Sequence, residues 1–157
     1  MRRALLAIAV LLAPTAAFAR VDYNAMVPAL LAHDSRLLAI GWRLASANAP
    51  FCRESAPSAG LMLIDLGQLD RPEEARSVLG IGGNLVIAGV APGGPAQRGG
   101  IAGGEQLVAV DGLSPADPDT AYSRLEAAFA RGGAATLTAA ASRSAPRSVR
   151  IAAQPAC

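Results

Sequence analysis

Between Val21 and Ala49 the apolar residues Met26, Leu30, Leu37, Ile40 and Leu44 stand three, four or seven positions apart, the rhythm of a helix with one apolar face. Pro28 and the polar stretch His33-Asp34-Ser35 interrupt that rhythm. The pattern therefore predicts a break, with Asp34 or Ser35 capping a second helix through Trp42 to Ala47 that Asn48-Ala49-Pro50 ends. Beyond it the pattern changes: Gly60 to Leu66 is a short apolar run between a Pro/Ser/Gly-rich approach and Gly67, as expected of a buried strand. Arg71 to Leu79 reads as a short helix opened by Pro72.

A second strand is predicted over Asn84 to Ala91, closed by Pro92-Gly93-Gly94-Pro95, and residues 95–101 suit a short helix stopped at Gly99-Gly100. Glu105 to Val110 is a third strand, turning at Asp111-Gly112. Pro118 and Asp119 open the clearest helix of the chain, Thr120 to Arg131, which Gly132-Gly133 ends. Ala134 to Ala141 and Ser148 to Ala152 then read as a closing hairpin.

At 157 residues, 52% hydrophobic and 17% charged, the chain has the size and composition of one folded domain, and its 16 Gly and 11 Pro imply many turns. The first nineteen residues change the reading of charge. Arg2 and Arg3, an apolar run from Ala4 to Ala13 and the small-residue site Ala17-Phe18-Ala19 have the order of a secretory signal peptide cut after Ala19. The apolar run is about half of the ~20 residues that span a bilayer, so no membrane span is expected after cleavage. Without Arg2 and Arg3, twelve Arg face twelve Asp and Glu. A nearly neutral chain with 4% aromatic residues has no nucleic-acid footprint.

Export places Cys52 and Cys157 where two thiols pair, and one disulfide between them is expected, contributing up to roughly 4–5 kcal/mol in the chain-entropy picture. No CxxC points to redox catalysis. All 14 basic residues are Arg, so a phosphate loop ending in Gly-Lys is excluded, and the single histidine, His33, excludes a two-histidine metal centre. No cofactor or metal site is indicated. His33 has Asp34 and Ser35 beside it, but sequence adjacency is not a catalytic triad and no Gly-x-Ser-x-Gly elbow is present. A solvated or capping histidine is the expectation. The carboxylates at Glu73-Glu74 and Asp117/Asp119 sit at predicted helix starts, where they favour the helix dipole and need no chemistry.

The stretch from Val86 to Gly112, with Ala91-Pro-Gly-Gly-Pro-Ala-Gln-Arg-Gly-Gly-Ile101 at its centre and Val110-Asp-Gly112 at its end, resembles the core signature of a bacterial PDZ domain. Gly94 stands where Ser is commoner in that family, Gly100 where Ala is usual and Glu105 where Asp is usual. The resemblance covers roughly residues 57–153. A looser one covers Arg36 to Cys52, which is similar to a segment preceding the PDZ-like unit of exported HExxH metallopeptidases, whose peptidase half has no counterpart here.

The resemblance implies an α+β fold, a PDZ-like small antiparallel β-sandwich or partly open barrel of about five strands with two helices. The expected organisation is signal peptide 1–19, N-terminal helical arm 20–56 and PDZ-like domain 57–157. It also implies a site in which a peptide adds as a strand to a sheet edge, its carboxylate held by main-chain N–H groups. The carboxylate loop would be Ala59, Gly60, Leu61 and Met62, with Met62 replacing a family glycine. The groove would be formed by Leu63, Ile64, Tyr122, Leu125 and Phe129, the last three sharing one helix face. For Leu125 core packing is the favoured reading and for Tyr122 groove or rim, since its hydroxyl wants a polar partner, and whether Leu61 and Leu63 or Met62 line the groove is open. No histidine occupies the helix start from Asp119 to Tyr122, so an apolar ligand is expected.

The function implied is an exported, noncatalytic peptide-binding module, periplasmic or secreted, whose partner is a protein C-terminus or extended segment, an envelope protease included. The alternative is a structural accessory subunit or protease-derived remnant whose groove is filled by its own arm.

Overall fold

The computed structural model describes residues 20–157; the predicted leader, 1–19, lies outside the described residues. Asp22 opens the first helix, α1 (Tyr23–Asn48), by accepting a hydrogen bond from the N–H of Asn24 at 3.0 Å. The expected break is absent: α1 passes through both Pro28 and His33–Ser35 as one helix of 26 residues. The reason is the face it buries. Tyr23, Val27, Leu31, Ser35, Leu38, Trp42 and Ala45 follow one another at three or four positions and all turn inward, while Pro28 and His33 are exposed. Continuous packing outweighs the roughly 3 kcal/mol an interior proline costs a helix. Ser35 does not cap anything; its hydroxyl donates to the carbonyl of Ala88 at 3.2 Å. Opposite it, a Cβ on Gly89 would fall 2.8 Å from the Ser35 hydroxyl oxygen, so the bare glycine permits the helix to approach the sheet.

The sheet runs β2 (Leu61–Asp65), β3 (Leu85–Val90), β4 (Gln106–Val110), β5 (Ala134–Ala140), β6 (Arg147–Ala152) in spatial order, every pair antiparallel. Its ends, β2 and β6, do not pair, so no barrel closes. One face packs on α4 (Pro118–Gly132), whose Leu125 and Phe129 meet Leu61, Leu63, Ile87, Leu107 and Leu137 in the main core. Asp117 starts α4 by accepting from the N–H of Thr120 at 2.7 Å, and Gly133, at φ 66°, ends it. Behind β2 and β3, on the opposite face, α1 and α2 (Pro72–Leu79) bury Val27, Leu66, Ala75 and Val86. The first two strands of the sheet are therefore covered on both faces.

A two-stranded ribbon absent from the sequence expectations joins the domain's ends: β1 (Ala56–Ser58) pairs with β7 (Gln154–Ala156), Pro57 opposite Pro155. Proline in so short a run reads as a turn, and a ribbon outside the main sheet is where it is tolerated in a strand. The ribbon begins one residue before the expected domain boundary. Beside it Cys52 and Cys157 form a disulfide with Cα atoms 6.0 Å apart, and the N–H of Cys157 donates to the carbonyl of Ala45 at 3.1 Å. The end of α1 is thus fixed to the last strand. The short α3 (Pro95–Arg98) completes the fold.

Candidate functional site

The outer edge of β2 faces α4, and the loop Ser58–Gly60 leads into it. Gly60 adopts φ +65°, where side chains are strained, and a Cβ there would meet Ala91 Cβ at 3.2 Å, Pro95 Cδ at 3.3 Å and Trp42 Cη2 at 3.4 Å. Three hydrogen bonds hold the loop: the N–H of Gly60 donates to the Ser58 hydroxyl at 3.2 Å, the Gly60 carbonyl accepts from Ala91, and the Ala59 carbonyl accepts from Ala96. It is a rigid turn strapped to β3 and α3.

Between this loop, β2 and α4 lies a cleft of about 490 Å³. Ala59, Gly60, Leu61 and Met62 line it from the loop and strand, and Tyr122, Leu125 and Phe129 from the helix. A second cleft, of about 440 Å³, continues at the far end of β2, where Leu63 and Ile64 line it beside Pro118. Every residue named from the sequence as loop or groove thus lies along this one edge. The strand does not divide as the alternatives supposed: Leu61 and Leu63 belong to the main core with Leu125 and Phe129 and Ile64 packs with the cluster beneath α1, yet Leu61 and Met62 both line the larger cleft. Leu125, at 3% exposure, is core and cleft wall at once.

Sequence reasoning brought the arm to the groove only as a filler and missed it as a wall. Leu37, Leu38, Gly41, Trp42 and Ala45 of α1 wall the larger cleft without filling it. Trp42, the one tryptophan of the chain, packs on Ala91 and Ala156 and backs the turn at Gly60. Its burial could have been suspected from the α1 periodicity, but nothing in the sequence tied it to a loop eighteen positions on.

Glu126 is the sole acidic side chain on the larger cleft and no Arg or His lines it, so a ligand carboxylate there would rely on main-chain N–H groups. The hydroxyl of Tyr122 takes one edge group already, accepting from the N–H of Leu63 at 2.9 Å. Burial pushes the Tyr122 phenol above its ordinary pKa, and the bond from Leu63 opposes that shift. His33 is exposed and lines neither cleft. Glu73 and Glu74 sit in the first turn of α2, paired with Arg76 and Arg71, and Asp117 caps α4. Among the described residues no cluster of three or more His, Cys, Asp or Glu could hold a metal ion, and no helix is long and apolar enough to cross a membrane.

A glycine-anchored turn thus feeds an edge strand, with a helix laid beside that edge. The fold is PDZ-like. An HtrA-type protease, AlgW, solved with a decapeptide, superposes with a TM-score of 0.52 at 20% identity over 64% of this chain and 30% of the protease. The PDZ domain of HtrA3 bound to a phage-derived ligand, FGRWV, superposes with the same TM-score of 0.52 at 21% identity, over 65% of this chain and 89% of that domain. The chain thus corresponds to less than a third of AlgW. No protein-family model matches the sequence, and no curated protein matches it at significant similarity. The PDZ-like likeness rests on shape.

Proposed function

We propose that this chain is an exported, noncatalytic PDZ-type module that binds the C-terminus or an extended segment of a protein partner along the outer edge of β2. The observation that carries the reading is the cleft at that edge, closed at one end by the Gly60 turn and floored by Leu125 and Phe129. Edge-strand addition supplies main-chain hydrogen bonds, and the apolar floor supplies selectivity for apolar ligand side chains. Both superposed structures were solved with peptides, which supports a peptide as the ligand class. Export is supported by the leader pattern of residues 1–19 and by the Cys52–Cys157 disulfide, which suits a periplasmic or secreted protein. The partner class is an envelope protein, proteases included.

The alternative, an accessory subunit whose arm occludes its own groove, is disfavoured by the position of α1, which borders the cleft and leaves its volume open. The test is a screen of the oxidised protein against peptides with free C-termini, each hit repeated as the amide. Binding that collapses on amidation supports a carboxylate-reading groove; binding indifferent to amidation shifts the reading to internal extended segments, and no binding contradicts both.

A further inference from the structure

A sheet edge with one covered face reads an added strand at alternate positions, because successive side chains point to opposite sides and one side meets water. Here both sides are walled. On the α4 side stand Leu125 and Phe129; on the other, α1 runs behind β2 and presents Leu30 to the smaller cleft and Leu37 to the larger. Leu30 and Leu37 are seven residues apart, two turns on one helix face and about 10 Å of rise, the span of roughly three strand residues. Met62 shares the larger cleft with Leu37 and Ile64 the smaller with Leu30, and both are half-buried. Leu37 itself is 54% exposed, a large apolar side chain on the lining of the larger cleft. The ionisable side chains along the two clefts are Glu126, Asp65 and the raised-pKa phenol of Tyr122, so nothing cationic invites an acidic ligand residue.

We propose that the β2 edge is a two-sided slot whose ligand is an extended segment without acidic side chains and apolar at successive positions, read on one face by Leu125 and Phe129 and on the other by Leu30 and Leu37. The proposal rests on the peptide-binding reading above and adds the second wall. It makes α1 part of the recognition surface.

Three labelled peptides with free C-termini and a common soluble leader test it by fluorescence anisotropy: one ending in five Val, one with Ser at the second and fourth positions from the end, and one with Ser at the first, third and fifth. The native protein is expected to bind the all-Val peptide about 30-fold more tightly than the peptide with two Ser and about 100-fold more tightly than the peptide with three, since each Ser forfeits the burial of a Val side chain. Leu37→Gln, at an exposed helix position where folding should be unaffected, is expected to abolish the preference against one Ser pattern and keep the preference against the other. Equal binding of one Ser pattern and the all-Val peptide by the native protein overturns the proposal and leaves peptide binding standing. An unchanged preference in Leu37→Gln also overturns it. Failure of all three peptides counts against the groove reading itself and the slot with it.

Discussion

The hydroxyl of Tyr122 accepts a hydrogen bond from the main-chain N–H of Leu63 at 2.9 Å, bridging α4 and the outer edge of β2. That N–H is one of the groups an added strand would use, so in the free protein the side chain stands in for part of a ligand. Tyr122→Phe is expected to lower stability by about 1 kcal/mol, the net worth of an ordinary hydrogen bond. It is also expected to tighten peptide binding by roughly fivefold, because the ligand no longer displaces the hydroxyl. Calorimetry of the variant with a library hit reads both; weaker binding would mean that the hydroxyl contacts the ligand instead of competing with it.

Two ionisable groups give the fold opposite pH limits. Hydrogen bonds from Thr120, main chain first and then side chain, hold the Asp117 carboxyl below its ordinary 3.8. Its contribution is complete above that value and is lost as pH falls through the lowered one. Burial raises Tyr122 above its ordinary 10.0, so its contribution is complete below that value and lost as pH rises through the raised one. Denaturant midpoints measured across pH should show the acid loss reduced in Asp117→Asn and the alkaline loss reduced in Tyr122→Phe. Parallel curves for native and variant proteins would remove either assignment.

Glu105, at 6% exposure, meets Arg147 at 2.9 Å, while its second carboxylate oxygen has no protein partner. Arg147 is 41% exposed and also donates to the Gly100 carbonyl. The asymmetry predicts unequal variants. Arg147→Met strands a buried carboxylate and should cost about 3 kcal/mol. Glu105→Gln leaves a partly solvated guanidinium and a retained hydrogen bond, and should cost about 1 kcal/mol. Chemical denaturation of the pair of variants checks the order, and equal losses would show that the ion pair acts as a surface pair.

The disulfide joins residues 105 positions apart and ties the end of α1 to β7. Reduction should lower stability by roughly 2–4 kcal/mol. Amide exchange should rise first in the last turn of α1 and in β7, where the Cys157 to Ala45 bond depends on it. An unchanged denaturation midpoint under reductant would contradict this role.

What the sequence made legible divides by the range of the interaction. The helix α4, with Pro118 at its start and Gly133 at its end, and the turn at Asp111-Gly112 are local signals and appear where the pattern puts them. The residues from Ala59 to Ile64 and from Tyr122 to Phe129 could be placed on one edge because the signature between Val86 and Gly112 suggests how strand and helix meet. The arm differs from expectation for another reason: Pro28 and His33-Asp34-Ser35 are breaking signals locally, and packing on the sheet, with Ser35 set against Ala88 and Gly89, keeps α1 continuous through them. The β1–β7 ribbon and the wall formed by Leu37 and Trp42 depend on contacts between distant segments, which periodicity within one segment does not report.

The proposed function depends on a peptide joining the sheet at β2. The most direct measurement is isotope-edited NMR of the oxidised protein with a free-C-terminus peptide hit, observing contacts between ligand and protein backbones. The account predicts cross-strand contacts from the peptide to Leu61–Asp65, its last residue beside Gly60, and shifts along Tyr122–Phe129. Contacts confined to the far side of the sheet, with the β2 edge unperturbed, would contradict it.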